Sequence, residues 1–203
     1  MKEAARTYVA QAKPKLLVGK PMCTTFGSLQ NLTQKTWDEE RQGKYVEAVE
    51  HIRFVVSLYK IQVEERRWFL HEHPAQATSW DLEEIQKLAK EVDVVINTTD
   101  QCMYGLKTWG KHGKINKYTK KKTKFMTNSI EIAKELKKKC DGKHEHQQLV
   151  DGRAEWVARC PKGLCRAICA GLVKEMRMQV MQVRHLLAVK HDDEVGEIQG
   201  RKE

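Results

Sequence analysis

RWFLHEHP, residues 67–74, is a compact aromatic and aliphatic run closed by Pro74. So dense an apolar segment over so few positions reads as a strand with a hard stop. Working upstream, Val46, Val49, Ile52, Val55, Val56, Tyr59, Ile61 and Val63 recur at near-helical spacing. They predict a long helix from about Thr36 to Arg67, with Thr36 and Glu39 as a capping box. Further back, Leu16–Val18 is a short apolar run between Pro14 and Gly19-Lys20-Pro21, a buried strand ending in a turn. Downstream, Ser79 or Asp81 caps a helix carrying Leu82, Ile85, Leu88 and Ala89, and the β-branched VDVVINT at 92–98 reads as a third strand.

The order strand, helix, strand, helix, strand predicts an α/β domain with a mainly parallel sheet. Its inner strands are expected at 15–18, 67–71 and 92–97. Parallel sheets collect ligands beyond the carboxyl ends of their strands. GKPMC (19–23) follows the first strand and HEHP (71–74) closes the second, so both peptides fall at that edge. KFMTNS at 124–129 adds a short strand, and Asn128 or Ser129 starts a helix to about Lys139. A last helical region over 163–190 carries Leu164, Ile168, Leu172, Met176, Val180 and Val183 on one side. The expected organisation is a lead-in at 1–14, a short helix or a loose segment, one α/β domain at 15–190 with a helical C-terminal part, and a polar tail at 191–203 that frays.

The chain has 203 residues, enough for one domain with its own core. Thirty-seven Lys and Arg against 27 Asp and Glu give a formal net charge of +10, which favours polyanionic partners. Residues 111–124 hold seven lysines in fourteen positions and read as an exposed loop able to meet phosphates. Lys120, Lys121 and Lys122 form its densest part, and Trp109 beside it is placed to stack on a base. No apolar run is long enough to span a bilayer, and the first residues lack a signal-peptide core. The expected setting is intracellular, in nucleus or cytoplasm, with the six cysteines unpaired.

Two residues stand out chemically. Cys23 follows a strand and a proline-containing turn, where a thiol can be presented at the sheet's active edge. Glu72 lies in an apolar segment between two histidines; burial there would raise its pKa and let it donate a proton near neutrality. A lone cysteine is also commonly structural, and a carboxylate at a strand end is commonly a surface residue.

The run LLVGKPMCTTFGSLQNL resembles the catalytic-loop motif of C5-cytosine DNA methyltransferases, with Gly19, Pro21, Cys23 and Phe26 matching. Met22 stands where that motif has a proline, and Gly27 where serine is usual. FLHEHP resembles the same family's Glu-Asn-Val/Pro motif, with Glu72 as the acid and His73 in the Asn position. DQCMYG resembles its Tyr-Gly segment at Tyr104 and Gly105. Over 15–170 the chain is similar to a divergent branch found in phage-like methylases and in retroelement-type polyproteins. FLHEHPAQATSW, DQCMYGL, TKFMTNS and the C-x-x-x-H-x-H segment carry that likeness.

The resemblance implies a Rossmann-like methyltransferase fold, S-adenosylmethionine as donor and a flipped cytosine as target. It implies Cys23 as the nucleophile that adds to C6 and Glu72 as the acid at N3. Pro21, Phe26, Tyr104 and Gly105 would then line the substrate site. Two departures stand against a complete enzyme. The chain has no Gly-x-Gly, and only fourteen residues precede the first strand's Lys15, so the donor-binding turn is expected to be missing. The Gln and paired Arg that usually follow Tyr-Gly are replaced by LKTWGKHGK, where Lys107, Lys111 or Lys114 supplies charge without a guanidinium fork. The expectation is a methyltransferase-like domain inactive on its own; the alternative is a non-catalytic nucleic-acid-binding module.

Cys140, His144 and His146 form C-x-x-x-H-x-H, and Cys160 or Cys165 could complete four ligands of the kind zinc accepts. The competing reading is a polar loop with a partly buried cysteine. Cys165 and Cys169 are expected to face the core, and Cys102 to pack beside Tyr104. Nothing in the sequence fixes the oligomeric state.

Overall fold

A computed structural model describes residues 2–27, 36–109, 116–147 and 158–199, with backbone alone at 109, 116 and 185–199. The elements in chain order are α1 (Lys2–Ala12), β1 (Leu16–Gly19), α2 (Glu39–Glu64), β2 (Trp68–Pro74), α3 (Glu83–Leu88) and β3 (Val95–Asp100). There follow β4 (Lys107–Trp109), β5 (Asn116–Tyr118), β6 (Lys122–Thr127), α4 (Ile130–Glu135) and α5 (Lys162–Gln199). The architecture is mixed α/β.

The main sheet has the order β1-β2-β6-β3. β1 and β2 are parallel, with Gly19 opposite His71. β6 runs antiparallel between β2 and β3, pairing Glu72 with Phe125 and Asp100 with Lys122. The expectation of a mainly parallel sheet is therefore corrected. β1, β2 and β3 do point the same way, but the strand between the last two is reversed. The physical reason is the connection: among the described residues, β3 to β6 holds a short turn and the β4–β5 pair, and no crossover helix to bring the chain back. β1 and β3 are edge strands, and β2 and β6 are the central ones.

Side chains alternate across β2 and divide the core in two. Phe69, with Phe26, Ile52, Val56, Tyr59, Trp80, Ile85, Leu88 and Met126, forms the layer under α2 and α3. Leu70, with Tyr104, Phe125, Ile132, Leu136 and Leu164, forms the layer under α4 and the start of α5. Gly171 of α5 lies so close to α4 that a Cβ there would sit 2.6 Å from the Cα of Ile132. Gly19 plays a similar part in β1, where a Cβ would stand 1.8 Å from Tyr59 Oη.

At the amino end of the sheet, the fully buried Gln62 donates to the carbonyls of Pro14 and Trp68 at 3.0 and 2.8 Å and accepts from Arg67 Nε at 2.7 Å. One side chain thus satisfies groups from the entry to β1, the start of β2 and the turn joining α2 to β2.

Several local expectations shift. The cap of α2 is Asp38, whose Oδ1 accepts from Arg41 N at 2.8 Å, so the helix starts after Thr36. Within the lysine-rich stretch, 116–118 and 122–124 lie in strands β5 and β6, so it is not one loop; residues 111–115 lie outside the described residues. α5 continues to Gln199, through the stretch expected to fray, and Met176, Val180 and Val183 on it are exposed. Cys165 and Cys169 are exposed and do not face the core. Among the described residues no helix is long and apolar enough to cross a membrane.

Candidate functional site

The carboxyl ends of β1, β2 and β3 meet at one edge of the sheet, and a polar cluster fills it. Glu72 is 3% exposed, on the Leu70 face of β2. Lys20, the residue after β1, stands 3.5 Å from Glu72 Oε2. Lys121, just before β6, and Gln101, just after β3, stand 3.5 Å from Oε1. Gln101 is fully buried; its Nε2 also donates to Thr123 Oγ1 at 2.9 Å, and its Oε1 has no partner. The carboxylate is thus surrounded by charge but not tightly hydrogen bonded, since 3.5 Å is the outer limit for such a bond. The expected burial of Glu72 is present. The apolar setting is not, because two ammonium groups stand beside it.

The loop after β1 is anchored on both faces of β2. Lys20 Nζ donates to the carbonyl of Ala158 as well as facing Glu72. Pro21 is buried, and the backbone carbonyls of Pro21 and Met22 lie against the His73 ring. Phe26 is fully buried, with its ring centroid 5.9 Å from that of His73 and 5.6 Å from that of Tyr45. Cys23 sits between these anchors, exposed, at the head of the turn Thr24–Phe26.

His71 and His73 are buried beneath this loop. His71 Nδ1 pairs with Tyr59 Oη at 3.1 Å, and Ser79 Oγ with His73 Nδ1 at 2.5 Å. Burial, with repulsion from His73, pulls the His71 pKa down to about 3. Burial lowers His73 too, opposed by Glu72 and by the carbonyls of Pro21 and Met22. Both imidazoles are therefore neutral near pH 7 and serve as hydrogen-bonding core residues.

Cys160 lies within electrostatic reach of Glu72. The residue is exposed, yet crowding around its sulfur raises its pKa; Lys20 and Lys121 oppose that rise and Glu72 adds to it. Cys160 also lines a cleft of about 470 Å³ with Tyr104, Gly105, Lys107, Arg159 and Gly163. Tyr104 itself is buried, and its hydroxyl donates to the carbonyl of Glu135 at 2.6 Å. Gly105 takes φ +82°, a left-handed turn conformation. Lys107 Nζ lies 4.6 Å from the centre of the Tyr118 ring. Lys120 and Lys122 are exposed, whereas Lys121 turns in towards Glu72. Trp109 ends β4.

Beside this edge, a second cluster brings Cys102, Cys140, His144 and His146 together, with one ligand atom from each within 4.8 Å of the others. Cys140 Sγ is 3.7 Å from His144 Nε2 and 3.5 Å from His146 Nε2. Three expected ligands are present. The fourth, expected to be Cys160 or Cys165, is Cys102, because the hydrogen bond from Cys140 N to Asp100 Oδ2 ties the Cys140 turn to the end of β3, two residues before Cys102. Burial, then a hydrogen bond donated to Cys140, pushes the Cys102 thiol up to about 11. Burial lowers the His146 pKa, with repulsion from His144 and Lys120.

Sequence reasoning missed Gln101 and Cys102. Both lie in DQCMYG, immediately after a strand, and that placement was the available signal. Comparison with protein-family models, curated proteins and solved structures finds no match, so the function is argued from these residues alone.

Proposed function

We propose that the chain is a C5-cytosine-methyltransferase-like nucleic-acid-binding domain whose Glu72 site receives an unstacked pyrimidine. The observation that carries this is the buried Glu72–Gln101 pair. A loosely held carboxylate and an amide oxygen without a partner sit together at the ligand-bearing edge of the sheet. Those two acceptors match the Watson–Crick edge of a cytosine protonated at N3, whose exocyclic amine and N3–H both donate. Lys20 and Lys121 balance the charge of Glu72, while the exposed Lys120 and Lys122 are free to meet phosphates.

In this reading Cys23 is the nucleophile that would add to C6 and Glu72 the group at N3. S-adenosylmethionine would supply the methyl group, but the residues described do not fit it. Tyr59 fills the space beside Gly19, the last residue of β1, which therefore cannot cradle a ligand, and the sequence holds no Gly-x-Gly. The activity proposed for this chain is therefore binding.

The test is fluorescence anisotropy with a short single strand carrying one central cytosine or, in its place, an abasic site. The wild-type chain is expected to prefer cytosine by about tenfold or more, the worth of a hydrogen bond to a charged group. Glu72→Gln should lose the preference while keeping the salt-dependent affinity for the backbone. Equal wild-type affinity for the two strands would reject the base site. Methyl transfer from labelled donor by this chain alone, lost in Cys23→Ser, would reject the restriction to binding.

A further inference from the structure

We propose that Cys102, Cys140, His144 and His146 bind a single zinc ion that clasps the two segments carrying Gln101 and Lys121 to Glu72. The coordination claim stands on the four side chains and does not depend on the nucleobase reading.

The separations at Cys140 fit a tetrahedral centre. With Zn–S near 2.3 Å and Zn–N near 2.0–2.1 Å, an S···N edge of the tetrahedron is about 3.5 Å. The two S···N separations at Cys140 are 3.5 and 3.7 Å. Two thiols and two imidazoles form a closed structural set for zinc, whereas Ca²⁺ and Mg²⁺ take oxygen ligands.

The surroundings hold the ligands in place. Gly142, at φ +77°, aims its N–H at Cys140 Sγ from 3.4 Å and so helps to hold the sulfur in place. The Cys140 N–H donates to Asp100 Oδ2 at 2.9 Å, tying this turn to the end of β3. The His144 ring lies 4.4 Å from that of Tyr118, His146 bridges to Tyr118, and Gln147 N donates to the Tyr118 carbonyl at 2.7 Å. Outer contacts of this kind orient metal-binding imidazoles.

The clasp follows from the chain path. Cys102 is the next residue after Gln101. His146 is bridged to Tyr118 of β5, three residues before Lys121. The two segments are themselves joined by Gln101 N donating to the Lys121 carbonyl at 3.0 Å. An ion shared by Cys102 and His146 therefore fixes, from behind, two of the three groups around Glu72.

The full chain, purified in reductant and stripped of metal with a chelator, is titrated with Co²⁺ and then with Zn²⁺. One equivalent of Co²⁺ should give the visible bands of a tetrahedral ion, with charge-transfer intensity for two thiolates, and Zn²⁺ should displace it. Cys102→Ser should reduce affinity at least tenfold and leave one thiolate's intensity, while Cys160→Ser should change neither. If Cys102→Ser does not fold, the two-thiolate intensity of the wild type and the silence of Cys160→Ser decide the same point. No tetrahedral spectrum, or loss of it in Cys160→Ser, overturns the site. Amide exchange at Gln101 and Lys121 should slow when zinc is added to the wild-type chain. Unchanged exchange at both amides overturns the clasp while leaving the site.

Discussion

Replacing His71 by Gln should remove a definite part of the chain's acid sensitivity. His71 is 1% exposed, its pKa is pulled down to about 3, and its Nε2 has no partner. In the unfolded chain an unperturbed histidine titrates near 6.5. A group whose folded-state pKa is depressed gives stability that is full above the unfolded value and is lost as pH falls towards the folded one. The window here runs from about 6.5 down to about 3. The cost at pH 5 is RT ln(1 + 10^1.5), about 2 kcal/mol, and at pH 7 it is only about 0.2 kcal/mol. Urea unfolding followed by circular dichroism, with chelator present at both pH values, measures the change. The wild type should lose about 2 kcal/mol more than His71→Gln on going from pH 7 to pH 5, a midpoint difference of about 1 M at an m-value near 2 kcal/mol/M. Contributions from carboxylates and from His73 are common to both proteins and cancel. Glutamine can still pair with Tyr59 Oη, so the comparison removes the titration without emptying the site. If the two proteins lose stability in parallel over that interval, His71 is not buried and neutral, and the packing of β2 described above is wrong.

Three further outcomes follow from other parts of the fold. Gly171→Ala should destabilise the chain by about 1–3 kcal/mol, because the new Cβ meets the α4 backbone at Ile132; an unchanged urea midpoint would show that α5 does not pack there. Ser129→Ala should cost about 1 kcal/mol in the same assay, since Ser129 Oγ caps α4 through Ile132 N and donates to Glu175 Oε2 at 2.6 Å. The double variant Lys120→Ala, Lys122→Ala should bind single-stranded nucleic acid more weakly and reduce the salt slope by about 1.4, near 0.7 for each phosphate left without its lysine. A slope equal to that of the wild type would exclude these lysines from the interface.

The strands were legible where β-branched and aromatic residues crowd together, as in WFLHEHP and VVINT, because burial demands that composition on any sheet. The direction of β6 was not. KTKFMT reads as a strand in either orientation, and only the short path from β3 makes it antiparallel. The carboxyl edge was legible at Glu72 because a carboxylate amid apolar residues marks itself. Gln101 carries no such mark: its importance comes from burial, which composition around it does not reveal. The metal cluster was legible as far as Cys140, His144 and His146, which lie within seven residues. Cys102 is 38 positions earlier, and only the return of the chain after α4 brings its sulfur to theirs.

Gln62 has a bearing on how this sequence can drift. Its amide ties the amino end of the sheet through two carbonyls and one guanidinium, at the opposite end from the segments 20–27, 101–106 and 119–121. A carboxylate of the same shape could not replace it, since it would turn the two donated bonds into repulsions against carbonyl oxygens. Inheritance is thus constrained unequally along the strands. The end without ligand chemistry tolerates almost no exchange at one position, while the loops that would choose a ligand can vary with less consequence for folding. Descendants of this chain should therefore diverge in what they bind sooner than in shape.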